Sequence, residues 1–184
     1  MLILIVVLAI LAIIVVWALV TYNRLVRLRV SADEGESEID VQLKRRHDLI
    51  PNLVETVKGY AGHERETLQR VTDARGAAIS AKGPQARAAA EGELSQALGR
   101  LLAVSEAYPD LKANQNFLEL QRELTATEDR IQAARRFYNT QVEALNTKIQ
   151  SLPSKIVANM GNFSEREFFE LEDRSDAEVP SVTF

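Results

Sequence analysis

The chain begins MLILIVVLAILAIIVVWALV, twenty residues without a charge, a proline or a glycine. As a helix rising about 1.5 Å per residue, this run is roughly 30 Å long, the thickness of a bilayer's hydrocarbon core. Trp17 and Tyr22 stand near its end, where amphipathic rings favour the lipid–water interface, and Arg24, Arg27 and Arg29 follow directly. Two other readings compete. A core helix apolar on every side is rare in a domain this small. A cleaved signal peptide would use the small residues Val30-Ser31-Ala32, but no basic stretch precedes the run, and the run exceeds the usual ~7–15 residues. A retained anchor over residues 1–22 is therefore expected. The positive-inside tendency of the three arginines then sets the N-terminus outside and the rest in the cytoplasm.

Behind the anchor, most of the 184 residues remain, enough for one domain with its own core. With 22 basic against 26 acidic side chains, the chain lacks the basic excess that phosphate neutralisation requires, so no nucleic-acid partner is expected. The absence of cysteine excludes disulfides, thiolate metal sites and cysteine nucleophiles. Ala, Leu, Glu, Gln and Arg are plentiful, and these lose little entropy in helices. The expected class is all-α: a transmembrane helix followed by an elongated, antiparallel, up-and-down bundle of four helices.

Periodicity supplies the helices. Leu43, Ile50, Val57, Val71 and Ala78 form one seven-residue row, and Leu53 and Tyr60 a second, flanked by Val54, Ala61 and Leu68. Together they describe one stripe on a long helix over residues 37–81. Glu64 interrupts the first row, and Arg46 would extend the second. Pro51 removes a backbone donor and disfavours helix at Ile50; the unchanged register on either side favours a kinked but continuous helix. Lys82-Gly83-Pro84 reads as a stop and restart. A second helix follows over 85–108, ended by Pro109, and Asn114 or Asn116 caps a third over 115–151. There Phe117, Leu124, Ile131, Tyr138, Leu145 and Leu152 recur every seven residues, with Leu120, Val142 and Ile149 beside them. Such spacing means long, coiled-coil-like packing at shallow angles. A short helix over 154–160 closes at Gly161. The bundle is thus expected over 23–163 and a tail over 164–184. Residues 164–178 carry seven acids against two bases. A tail of this kind is usually solvated, but Phe163, Phe168, Phe169 and Phe184 could dock it on the bundle or form a partner motif.

Chemical signals are sparse. His47 and His63 lie 16 residues apart, about 160° around a straight helix, so they do not share a metal on one face. His63-Glu64 lacks the second histidine of a zinc-protease helix, and no glycine-rich phosphate loop or nucleophile elbow occurs. No catalytic residue, metal or cofactor is expected. The densest polar group is Asp40, Lys44, Arg45, Arg46, His47 and Asp48. Asp40–Lys44 and Lys44–Asp48 are helical neighbours and make a self-paired, solvated face. Arg46 differs, because it lies on the apolar stripe, where an unpaired charge is costly. Glu128 on the third helix is its expected partner. Asn114 and Asn139 complete a candidate buried polar network. The rival reading is a site for an acidic partner or a lipid headgroup.

The run Tyr22-Asn23 to Arg29, the stretch IDVQLKRRHDLIPNLVETV over 39–57, AYPDLKAN over 107–114, ARRFYN over 134–139 and FFE over 168–170 together resemble the signature of the bacterial LemA family. The resemblance implies a four-helix bundle on the bacterial inner (plasma) membrane. It brings no known reaction and no catalytic residues, and a magnetosome-associated branch suggests membrane organisation. The expected role is a membrane-tethered scaffold or adaptor, with the lipid bilayer, other proteins and further copies of itself as partners. The alternatives are a membrane-organising protein acting by self-assembly and an accessory subunit of a membrane protease or sensor.

Overall fold

A computed structural model describes residues 1–169, and the elements among them are all helical. They are α1 (Leu2–Tyr60), α2 (Arg65–Ser80), α3 (Pro84–Ser105), α4 (Pro109–Lys112), α5 (Gln115–Gln150) and α6 (Ser154–Met160). The chain forms two compact units. The first comprises Met1–Gln42 and Asp129–Phe168, the second Leu43–Glu128 with Phe169.

The apolar run is not a separate helix. α1 passes through it and onward to Tyr60 without a break. None of its most apolar 18-residue window is buried by the rest of the chain, which removes the core-helix reading. This is the one candidate membrane span among the described residues. Beyond it the buried residues Leu25, Ala32, Ile39, Arg46 and Leu53 recur every seven, beside a second row of Leu43, Ile50 and Val57.

In the first unit, Leu25 packs with Leu145, Ile149, Val157, Ala158 and Phe163, and Ala18, inside the apolar run, lies against this cluster. At Gly35 the backbones of α1 and α5 come close: a Cβ there would stand 3.1 Å from Tyr138 Cα. Residue numbers thus fall along α5 as they rise along α1, so the two helices run antiparallel. In the second unit, Ile50, Leu53 and Val57 of α1 share a core with Leu68 and Val71 of α2, Leu94, Leu98 and Leu101 of α3, Leu111 of α4, and Phe117 and Leu124 of α5.

Several expectations are corrected. The single helix over 37–81 is broken at residues 61–64, where the amide of Glu64 donates to Ala61 O. The apolar register survives because this four-residue turn returns Leu68 and Val71 to the same core. Helix α3 stops at Ser105, and Tyr108 precedes the new turn of α4. Asn114, not Asn116, caps α5, its Oδ1 accepting from the amide of Phe117 at 3.0 Å. Leu152 leaves the heptad row, since α5 ends at Gln150 and Leu152 is 77% exposed. Gly161 follows α6, but the residue with positive φ is Asn162. The glycine is needed for space instead, because a Cβ there would lie 2.6 Å from the Phe163 ring. Pro51 stays inside α1. Gly83 between α2 and α3 does take a positive φ of 82°, which suits a residue without Cβ.

The tail's first residues are ordered on the helices. Phe163 and Phe169 are buried, and Phe168 is half-buried. Phe184 and the acidic residues after 169 lie outside the described residues.

Candidate functional site

The strongest polar constellation lies within the second unit. Arg46 is 4% exposed because it occupies a core row of α1, and opposite it Glu91 of α3 is 1% exposed. Arg46 Nη1 donates to Glu91 Oε2 at 3.3 Å and lies 3.2 Å from Glu128 Oε2 of α5. Its Nη2 donates to Ser95 Oγ at 2.7 Å, and that hydroxyl donates to the backbone carbonyl of Glu91. His47 Nε2 sits 2.7 Å from the other Glu91 oxygen. An ionised carboxylate only accepts, so Nε2 carries the hydrogen.

This grouping ties three helices together. Taking Arg46 and Glu91 out of water is costly for each alone, and the pair is tolerable because both Arg46 terminal nitrogens meet acceptors and both Glu91 carboxylate oxygens meet donors. Glu128 is more open, with its side chain 37% exposed, so it adds less. Chemically the cluster has a carboxylate fixed between a guanidinium and an imidazole. Its residues line neither of two clefts of this unit. One, about 650 Å³, lies between α2 and α3 and is lined by Arg70, Arg100, Glu66, Asp73 and Glu93 among others; the other, about 380 Å³, is lined by Leu49, Asn52, Asn116 and Leu120 among others. Among the described residues, no group of three or more His, Asp or Glu is arranged to hold a metal.

The remaining residues singled out from the sequence scatter around this core. Asp40, Lys44 and Asp48 are exposed on α1, as is Arg45, which reaches Glu123 at 3.6 Å. Asn114 lies at the end of α1, donating to Tyr60 Oη at 2.9 Å. Asn139 is half-buried in the first unit. His63 falls in the 61–64 turn, so the helical angle between it and His47 has no meaning. Sequence reasoning missed Ser95 and also Glu91, although Glu91 stands three residues before Leu94 and seven before Leu98, on the buried face those leucines mark. It also missed Arg75, whose Nε donates to the carbonyl of His47 at 2.7 Å.

A second constellation fastens residues 163–168 within the first unit. Tyr22 meets the Phe163 ring edge-on, with centroids 5.6 Å apart, and the Arg29 guanidinium stands 5.2 Å from that ring's centre. These two were singled out as interface residues; both also hold the strap. Trp17, Arg24 and Arg27 are exposed on α1. Asn146 bonds the backbone of Arg166 twice, donating to its carbonyl and accepting from its amide. The Arg166 side chain pairs with Asp33 and lies 3.8 Å from Glu36. Tyr138 Oη donates to the carbonyl of Glu167 at 2.9 Å. Burial pushes this hydroxyl above the usual phenol range. Glu36, Glu167 and Asp33 push the same way, against Arg166.

Comparison with known proteins sets these features in a family. The chain is 26% identical to magnetosome protein MamQ 2 of Paramagnetospirillum magneticum over 191 residues, covering 90% of this chain and 70% of the relative. It is 25% identical to magnetosome protein MamQ of Magnetospirillum gryphiswaldense over the same shares. To protein LemA of Metamycoplasma hominis it is 28% identical over 137 residues, 74% of this chain and 63% of that protein. The LemA family profile matches residues 35–184, everything beyond the apolar run and the few turns after it, and this chain belongs to the LemA family.

Proposed function

We propose that this protein is a membrane-tethered, non-enzymatic scaffold whose helical domain presents its surfaces to other proteins. The observation that carries the reading is the continuity of α1, whose lipid-sized apolar run leads straight into buried core rows. The first unit, built on its own anchor helix, is held by a stiff mount, not a loose tether. The charged cluster supports the reading too, because Arg46, His47 and Glu91 are engaged with one another and with Ser95 and Glu128 inside the unit. The cleft between α2 and α3, with both signs of charge on its walls, is the surface we assign to partners.

Retention of the anchor has a physical argument. Cleavage after Ala32 would remove Leu25, Tyr22 and Arg29, leaving Ile149, Val157 and Phe163 without their cover. The orientation we propose, N-terminus outside and domain in the cytoplasm, rests on Arg24, Arg27 and Arg29. Protease added outside sealed cells should spare the domain, and its digestion there would reverse the orientation.

The scaffold reading is tested by photo-crosslinking in native membranes from Thr67 and Gln96, which line the α2–α3 cleft. Discrete adducts with other proteins are expected. Adducts no different from those at an exposed site elsewhere on the domain would sink it. The kinship with proteins named for the magnetosome favours a second reading, in which the chain organises membrane by self-assembly. Polymers of the chain seen on reconstituted membranes, with no heterologous adducts, would favour that reading.

A further inference from the structure

Among the described residues beyond the anchor, Val41, Ile79 and Phe137 are exposed singly, whereas three exposed apolar side chains fall together at α6 and the turn before it. Leu152, Ile156 and Met160 are 77%, 58% and 82% exposed. They are spaced by four residues across the turn before α6 and along it, so Ile156 and Met160 share one face of the helix and Leu152 leads into it. Lys155 is exposed beside them. The opposite face of α6 is buried, with Val157 and Ala158 against Leu25 of α1.

What covers the outer face follows from where the inner face is docked. Leu25 lies five residues past the apolar run, about 7.5 Å along the helix axis, and Ala18, inside the run, touches the same cluster. α6 is thereby held at the depth where the hydrocarbon ends and the headgroups begin, a zone several ångströms thick on each side of a bilayer. Apolar side chains flanked by a lysine, beside the exposed Arg24 and Arg27, suit that zone. Tyr22 and Arg29, by gripping Phe163 just after Gly161, keep the end of α6 against the anchor.

We propose that α6 and the turn before it are a second membrane contact, lying in the lipid–water interface, with Leu152, Ile156 and Met160 at the acyl boundary and Lys155 among the headgroups. The inference rests on α1 spanning the bilayer. It makes the first unit's attachment a two-point one, so that this unit is fixed in tilt as well as tethered.

The chain has no cysteine, so single sites can be labelled cleanly. Ile156→Cys and Met160→Cys would each carry an environment-sensitive fluorophore in the full chain, reconstituted in vesicles of phosphatidylcholine and phosphatidylglycerol. Ile10→Cys reports the span and Ala126→Cys the exposed face of α5. Quenching by lipids with a nitroxide high on the acyl chain should be severalfold stronger at 156 and 160 than at 126, and quenching by aqueous iodide correspondingly weaker. Labels at 156 and 160 that respond like the one at 126 overturn the proposal. So does shielding from iodide without quenching by the nitroxide lipid, which would mean a second copy or another protein covers the face. The Ile10 label separates the causes: if it is lipid-quenched, the failure belongs to α6 alone, and if it is not, the span reading falls as well.

Discussion

The Nε of Arg75 donates a 2.7 Å hydrogen bond to the backbone carbonyl of His47, the acceptor that Pro51, four residues further on, has no N–H to serve. A proline inside a helix orphans the carbonyl of residue i−4 and ordinarily kinks or stops the helix. Here α2 supplies the missing donor from outside, and α1 continues to Tyr60. The proline therefore marks where two helices are joined.

That pairing predicts a coupling. Arg75→Ala should cost about 1–3 kcal/mol by leaving a carbonyl of α1 without its donor. In a Pro51→Ala background the restored N–H can serve His47 O, and the same substitution should cost clearly less. Thermal or urea unfolding of the four proteins, full chain in detergent or nanodiscs, measures the difference. Strictly additive effects would show that Arg75 does not stand in for the lost N–H.

The buried charges predict an ordered series. Arg46→Ala and Glu91→Ala should each cost about 3–5 kcal/mol, because each leaves the other buried without its fully buried counter-charge. Glu128→Ala should cost under about 1 kcal/mol, since its carboxylate is partly solvated and Glu91 remains. Replacing Arg46 and Glu91 together by Met and Leu should recover much of the loss. A Glu128→Ala cost as large as that of Glu91→Ala would reassign the main partner of Arg46. The midpoint of urea unfolding at neutral pH is the readout.

These two sites also show what was readable beforehand. Heptad rows located α5 and the inward position of Arg46, because core-facing residues must repeat with the helix turn. They could not reveal the break at 61–64. A short turn that restores register leaves the apolar pattern intact, and only Gly62 and the outlying Glu64 hinted at it. Glu91 was illegible for a different reason. The first turns of α3 are rich in alanine and give little contrast between faces, and the row of Leu94, Leu98 and Leu101 points back to Glu91 only when it is extended through a charged residue. Pro51 did carry a signal for Arg75, since a missing donor implies a donor elsewhere, but which of many arginines supplies it depends on tertiary structure. The strap over 163–168 is held in part through its backbone groups, by Asn146 and Tyr138, and backbone pairing leaves little trace in side-chain composition.

Gly161→Ala should loosen the strap where it begins. The new Cβ would stand 2.6 Å from the Phe163 ring and 3.0 Å from that of Tyr22, so the ring stack must open. A cost of about 1–3 kcal/mol is typical of such overpacking. Limited proteolysis should then cut near residues 163–168 faster than in the parent protein. Unchanged cleavage with unchanged stability would mean the ring has room to move.

Tyr138 predicts a pH dependence with a definite sign. Its hydroxyl is buried and donates to Glu167 O, so the fold favours the neutral form and the folded-state pKa lies above the unfolded value. Between those two values the folded chain binds more protons than the unfolded one, so stability falls as pH rises. The contribution is intact below about pH 10, the ordinary phenol value, and is lost as pH climbs through the folded-state value. Tyr138→Phe removes this titration and the hydrogen bond together. At about pH 8 it should cost about 0.5–1.5 kcal/mol, the usual worth of one such bond. As pH is raised past 10, the stability gap between parent and variant should narrow, because the parent alone forfeits the favoured neutral phenol. Lysine deprotonation and the other tyrosines act on both proteins and cancel in the comparison. Urea unfolding of the two across that range supplies the test, and a gap that widens with pH would reverse the sign assigned to Tyr138.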